Sequence, residues 1–197
     1  MSYLQRIGAT KKFCDSHPLK ITLLENHSNF WTLLNRGDFW TIDLIHFEFL
    51  ILEGAQAGLS WKTILYRRTG YRKAFCNYDW DKVASMTGKD VERLLKDQGI
   101  IRNRLKIMSA INNAKRFIAV REEFGSFDKY LWNFTNGKVI DNKPKSLIHL
   151  PATTELSDRI SKDLKIRGFR FVGSKVICAH LQAVGIVNDH LAGCNKR

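Results

Sequence analysis

The sequence predicts an all-α protein, and three observations carry that expectation. Apolar residues recur at helical spacing through most of the chain, most clearly as the stripe Ile107, Ala110, Ile111, Ala114 and Ile118. No run of alternating apolar and polar residues is long enough to build a sheet. Only three prolines occur in 197 residues, so few positions force a helix to stop.

Taken in order, helical spacing covers Leu44 to Ala57 and then Trp61 to Phe75. Asp79 to Met86 is a short helix opened by an Asp cap. The next runs from about Gly88 to Lys96, with Asp90 and Glu92 in its first turn, where the helix dipole favours negative charge. Arg104 to Phe124 is the long helix. Phe127 to Phe134, Thr154 to Ile166 and Ser174 to Val184 complete the set. Asn136-Gly137 and Asn142 to Pro151 are loops, the second best suited to be a mobile insertion.

A chain of this length fits one domain, or two small lobes, with a proper core. Its 44% apolar and 11% aromatic content is that of a folded, soluble protein. No apolar run approaches the roughly 20 residues a membrane helix needs. The opening Met-Ser-Tyr-Leu-Gln-Arg lacks the apolar centre of a signal peptide, so a cytoplasmic location is expected. Lys and Arg number 32 against 19 Asp and Glu, giving a net charge of +13. Such an excess points to a polyanion, most simply nucleic acid, and the clustering of Arg102, Arg104 and Lys106 favours that over mere solubility. Disulfides among Cys14, Cys76, Cys178 and Cys194 are not expected in a cytoplasmic chain, which leaves metal binding to be weighed.

Glu53 is the most informative residue. It follows the apolar run Phe47-Glu48-Phe49-Leu50-Ile51-Leu52 and precedes Trp61 by eight residues, with Gly54 and Gly58 between. Burying an unpaired carboxylate costs several kcal/mol, so it should have a partner or a task. One reading pairs it with Arg67 or Arg68. The other makes it the floor of a pocket for a flat, positively charged ring, with an aromatic face nearby. Farther on, Gln98-Gly99-Ile100-Ile101-Arg102-Asn103-Arg104 lies between two amphipathic helices. A glycine turn before a helix start can offer backbone amides to a phosphate, although an ordinary turn with a C-cap glycine has the same look. His190 and Cys194 are one helical turn apart, and Cys14 and His27 are thirteen residues apart.

The run LEGAQAGLSWKTIL closely resembles the signature segment of the 3-methyladenine DNA glycosylase I family. The resemblance continues through Asp90-Val-Glu-Arg-Leu, Gly99-Ile-Ile-Arg-Asn-Arg, Lys106-Ile107, Tyr130-Leu-Trp, Leu164 to Gly173 and Gly185-Ile-Val-Asn-Asp-His190. It is collinear from Phe49 to Cys194 and patchy before. It implies a helix-hairpin-helix DNA glycosylase fold, with residues 1–13 a tail, 14–197 one domain and the hairpin near 88–124. The implied reaction is hydrolytic removal of 3-methyladenine from duplex DNA by a monomeric, monofunctional enzyme, since no lysine stands where a Schiff-base nucleophile would. By resemblance Glu53 hydrogen-bonds the extruded base, Trp61 stacks on it, and Leu59 fills the gap left in the duplex. Gly99, Arg102, Arg104 and Lys106 would grip the DNA backbone. Cys14, His27, His190 and Cys194 fall on the family's ligands for a structural zinc joining the chain ends, a donor set suited to tetrahedral geometry.

The pocket also departs from the family. Trp31 is kept, but Asn26 stands where the usual tyrosine is, Ser28 replaces an aspartate, and Leu23 and Ser16 fall where aromatic residues are expected. The segment between Trp31 and Phe47 is longer than in relatives. Loss of those aromatics leaves a second possibility open: a catalytically weak DNA-binding protein of the same fold that recognises damage or shape.

Overall fold

The computed structural model describes residues 39–144 and 150–190 and begins with helix α1 (Phe39–Gln56). Cys14, Asn26, His27, Trp31 and Cys194 therefore lie outside the described residues. Helix α1 starts five residues before the expected Leu44, and tertiary contacts explain the extra turn. Trp40 packs its ring 5.6 Å from that of Trp80. Asp43, fully buried, takes a 2.6 Å bond from Arg121 Nε and accepts the amides of Phe127 and Asp128. Between Ile42 and Ala55 most residues are buried whatever their direction. That pattern marks a helix wrapped by others on all sides.

The stretch expected as one helix from Trp61 is two, α2 (Trp61–Leu65) and α3 (Arg68–Ala74), broken at Arg67. The break aims α3 so that Gly70 lies against the backbone of Gly99, and a Cβ on Gly70 would come within 2.2 Å of the Gly99 carbonyl oxygen. Only a glycine fits there. A tight turn through Cys76, Asn77 and Tyr78 follows, all three at positive φ. Helix α4 (Trp80–Ala84) is capped by Asp79, whose carboxylate accepts from the amide of Lys82. Helix α5 (Gly88–Leu94) opens with Asp90 accepting the Thr87 amide at 2.9 Å.

Helix α6 (Arg104–Phe124) keeps the limits the sequence implied, with Asn103 as its cap and Gly125 in the left-handed region at its end. Its Phe117 is the hub of the core, with ring centroids 4.5 Å from Phe127, 5.1 Å from Phe47 and 5.6 Å from Trp80. Helix α7 (Phe127–Asn133) is capped by Ser126. Helices α8 (Glu155–Ile166) and α9 (Ser174–Ala183) pack together, tied by hydroxyl contacts from Ser157 to Ser174 and from Ser161 to the Val172 carbonyl. The only strands among the described residues, β1 (Ile140–Asp141) and β2 (Val187–Asn188), pair in parallel over two residues. The expectation of an all-α architecture holds, and no described helix is long and apolar enough to cross a membrane.

Candidate active site

Glu53 lies on the last turn of α1 and is 2% exposed. The chain then reverses through Gly58, at φ 78°, and the turn is closed by Gln56, whose amide nitrogen donates to the Leu59 carbonyl at 2.7 Å. Ser60 caps α2 by accepting the Thr63 amide. Trp61, the first residue of α2, is buried in the core. Leu59 stays at the surface on the turn itself, 36% exposed.

The ion pair considered for Glu53 is made by another residue. Arg68 Nε donates to Glu48 Oε1 at 2.6 Å, and Arg72 reaches the second oxygen at 3.3 Å. Glu48, inside the apolar run and five residues before Glu53, is thus a structural carboxylate of α1, as Asp43 is. Glu53 faces histidine instead, with His180 Nδ1 3.3 Å from its Oε2. His180 Nε2 is 3.0 Å from His46 Nδ1, and His46 Nε2 is 3.1 Å from Asp128 Oδ1. Burial, and then the neighbouring His46, pushes His180 well below the usual imidazole range, so it is neutral.

The sequence singles out neither His46 nor His180 as a site residue; both are fully buried, His180 beside Glu53 and His46 behind His180. A signal was present. His46 and Glu53 are seven residues apart, about two turns, and so share a face of α1.

A further residue at this end of the helix is Phe171, held at φ 57°. Its Cβ would be 3.5 Å from one built on Gly54. Asn113 fixes this loop with two 2.8 Å bonds, to the amide and the carbonyl of Arg170. A bulky residue at positive φ is a strained arrangement of the kind found at functional sites.

The four residues expected to grip DNA take different positions. Arg102 is exposed at the tip of the connection between α5 and α6. Arg104 is exposed and paired with Glu92 at 2.6 Å. The Gly99 amide donates to Asp97 Oδ1 at 2.7 Å, so the glycine here serves the contact with Gly70. Lys106 turns inward, its ammonium donating to the carbonyls of Ala55 at 2.8 Å and Ala57 at 2.6 Å. It caps the C-terminal end of α1, where orphan carbonyls and the negative helix pole favour a cation. Desolvation pulls its pKa below the ordinary lysine value.

His190 follows β2, and its amide donates to Asn188 Oδ1 at 3.1 Å. The parallel pairing with β1 and the bond from Asn142 to Asp189 at 2.7 Å fix the approach to it. The other three residues of the expected metal set are outside the described residues.

The fold is predominantly helical, with a buried carboxylate ending a central helix and a glycine turn leading to a buried tryptophan. The profile of the methyladenine glycosylase family matches residues 20–197, and the chain belongs to that family. It is 45% identical over 148 residues to DNA-3-methyladenine glycosylase 1 of Escherichia coli (strain K12), covering 75% of this chain and 79% of that protein. A crystal structure of 3-methyladenine DNA glycosylase I superposes with a TM-score of 0.75 at 43% identity, covering 78% of this chain and 84% of that one. The Staphylococcus aureus enzyme, solved to show the structural basis of 3-methyladenine recognition, gives 0.75 at 35% identity over 77% and 81% of the two chains.

Proposed function

We propose that this protein removes 3-methyladenine from duplex DNA by hydrolysing the bond between base and sugar. The observation that carries the reading is the position of Glu53, a 2%-exposed carboxylate at the end of α1 beside the turn to Trp61. A 3-methylated adenine attached to its sugar carries a positive charge. When the glycosidic bond breaks, its electron pair passes to the ring, the base leaves neutral, and water adds to the sugar carbon with loss of a proton. Little acid catalysis is required. What the protein must supply is an extruded nucleotide and a site that prefers a cation.

In this reading Glu53 supplies the negative charge and a hydrogen-bond acceptor, and Trp61 the stacking face. Leu59, at the surface of the turn, enters the duplex where the nucleotide has left it. Trp31 and Asn26 would complete the floor of the pocket.

The connection from α5 to α6 acts as the helix-hairpin-helix grip on the DNA backbone. Arg102 and Arg104 provide charge and Gly99 the tight packing beneath. Lys106 serves the same face from inside, by holding the turn that carries Leu59. Cys14, His27, His190 and Cys194 would bind one structural zinc. Two thiolates and two imidazoles fill a tetrahedral shell and leave no open position, so the ion's contribution would be to fold stability.

Incubating the protein with methylated duplex and separating the released bases tests the function. Free 3-methyladenine is expected. Tighter binding of the methylated than of the unmodified duplex, without base release, would instead favour a damage-recognition protein.

A further inference from the structure

The loop between α8 and α9, from Gly168 to Gly173, is held more firmly than a surface connection requires, and the reading above gives it no task. Asn113, buried on α6, spends both ends of its side-chain amide on one residue of this loop. Its Oδ1 accepts the Arg170 amide and its Nδ2 donates to the Arg170 carbonyl, each at 2.8 Å. Asn112 Nδ2 donates to the Gly168 carbonyl at 2.8 Å, and Ser161 Oγ to that of Val172 at 2.7 Å. Those four bonds hold Phe171 at its positive φ, since a strained backbone persists only where its surroundings over-determine it. Yet Arg170, the residue Asn113 fixes so closely, is exposed, and its guanidinium makes no ion pair among the described residues. Arg167, three residues earlier, shows the alternative, paired with both Glu123 and Asp163.

Helix α6 places this loop relative to the pocket. Lys106 and Asn113 are seven residues apart, so they share a face of α6 and lie about 10 Å apart along its axis. Lys106 holds the turn that carries Leu59, through the carbonyls of Ala55 and Ala57. Asn113 holds Arg170. Arg102 precedes the start of α6, so the hairpin, the Leu59 turn and the loop follow one another along this helix. The contact between Phe171 and Gly54 ties the loop to the pocket from the side of α1, because Gly54 adjoins Glu53 and Phe171 adjoins Arg170. With 3.8 Å between successive Cα atoms, the Arg170 Cα lies within about 10 Å of that of Gly54. Arg116, one turn beyond Asn112, brings a second exposed guanidinium beside the loop. A Cβ on Gly168 would fall 2.9 Å from its Nε, and Arg116 too makes no ion pair among the described residues.

We propose that the loop from Gly168 to Gly173 is a second arm of the DNA interface, across the Leu59 turn from the hairpin, and that Arg170 is its contact with a backbone phosphate near the extruded nucleotide. The guanidinium is a planar fork that matches a phosphate. Its backbone is already fixed, which lowers the cost of ordering it on binding. The 10 Å between the two supports on α6 corresponds to about three nucleotide steps of one strand at 3.4 Å each. A duplex held at the hairpin and at the loop is gripped on both sides of the place where a nucleotide leaves the stack.

The inference rests on the duplex-binding part of the reading above and not on base release, and the experiment keeps the two apart. Affinity for an unmodified duplex is measured across salt concentrations with the full-length parent, Arg170→Gln and Arg170→Lys. Arg170→Gln should flatten the slope of log K against log salt by about 0.9, so that its loss of affinity between about 50 and 200 mM salt is about 3.5-fold smaller than the parent's. Arg170→Lys keeps the charge and should keep the slope. Both variants should melt with the parent, because the side chain holds no ion pair in the fold. A parental slope for Arg170→Gln would overturn the proposal. The place of the contact is read on a duplex with one tetrahydrofuran abasic-site analogue, in which single phosphates are replaced by neutral methylphosphonates. One replacement within about three nucleotides of the analogue should weaken the parent and leave Arg170→Gln no weaker. If every replacement weakens the two proteins alike, Arg170 touches no phosphate there and the proposal fails. A flatter slope in a protein that releases no base would support the arm and sink the glycosylase reading; base release with a parental slope for Arg170→Gln would do the reverse.

Discussion

Replacing Lys106 with methionine keeps the aliphatic stem and removes the ammonium, which separates two roles for this residue. In the structure the ammonium donates to Ala55 and Ala57 at 2.8 and 2.6 Å. A hydrogen bond from a charged group contributes about 1.5–3 kcal/mol, and the site is half-buried, so water can replace part of what is lost. Discounting the two bonds for that screening leaves about 2–3 kcal/mol. For a domain of this size that corresponds to a melting temperature lower by about 4–12 °C. The turn carrying Leu59 also loses its anchor, so base release should fall further than stability alone explains. Duplex affinity measured across salt concentrations supplies the discriminating number. A lost phosphate contact flattens the slope of log K against log salt by about 0.9. Lys106→Met should leave that slope unchanged, whereas Arg102→Gln, at an exposed position, should flatten it by about that amount. An unchanged melting temperature combined with a flatter slope for Lys106→Met would refute the capping role and return Lys106 to the phosphate contacts.

Two further outcomes are expected. Gly70→Ala places a Cβ 2.2 Å from the Gly99 carbonyl oxygen, so the connection from α5 to α6 must shift; a stability loss of about 1–3 kcal/mol by denaturant titration is the expected size of such overpacking. Elemental analysis should find one zinc per chain, and chelation should lower the melting temperature, because structural zinc contributes folding energy directly.

The parts of the fold legible in the sequence were those set by local chemistry. Helix α6 could be delimited because Asn103 is a good cap, Gly125 a good stop, and an apolar stripe runs between them. Asp79 and Thr154 announced α4 and α8 in the same way. The break at Arg67 carried no such mark, since it depends on two glycines, Gly70 and Gly99, meeting from distant parts of the chain. The two-residue pairing of β1 with β2 is too short to leave an alternating pattern.

At the site, Glu53 stood out as a charge in an apolar run, and so equally should Glu48, which the structure assigns to Arg68. Its arginine partners lie twenty and twenty-four residues on, and local spacing could not tell which of the two carboxylates they served. His46 and His180 are separated by 134 residues. Their meeting is a product of α1 packing against α9, a relation that neither segment encodes alone.

Glu53 is the carboxylate proposed to select and hold the cationic base. Glu53→Gln keeps the size and one acceptor and removes the charge. A charge-assisted hydrogen bond of roughly 1.5–3 kcal/mol corresponds to a fall of about 10- to 100-fold in the rate. The direct measurement is single-turnover release of 3-methyladenine from methylated duplex by the parent and the Glu53→Gln protein, with duplex affinity measured in parallel. That fall in release, with affinity nearly unchanged, is the expected result. Equal release by the two proteins would contradict it.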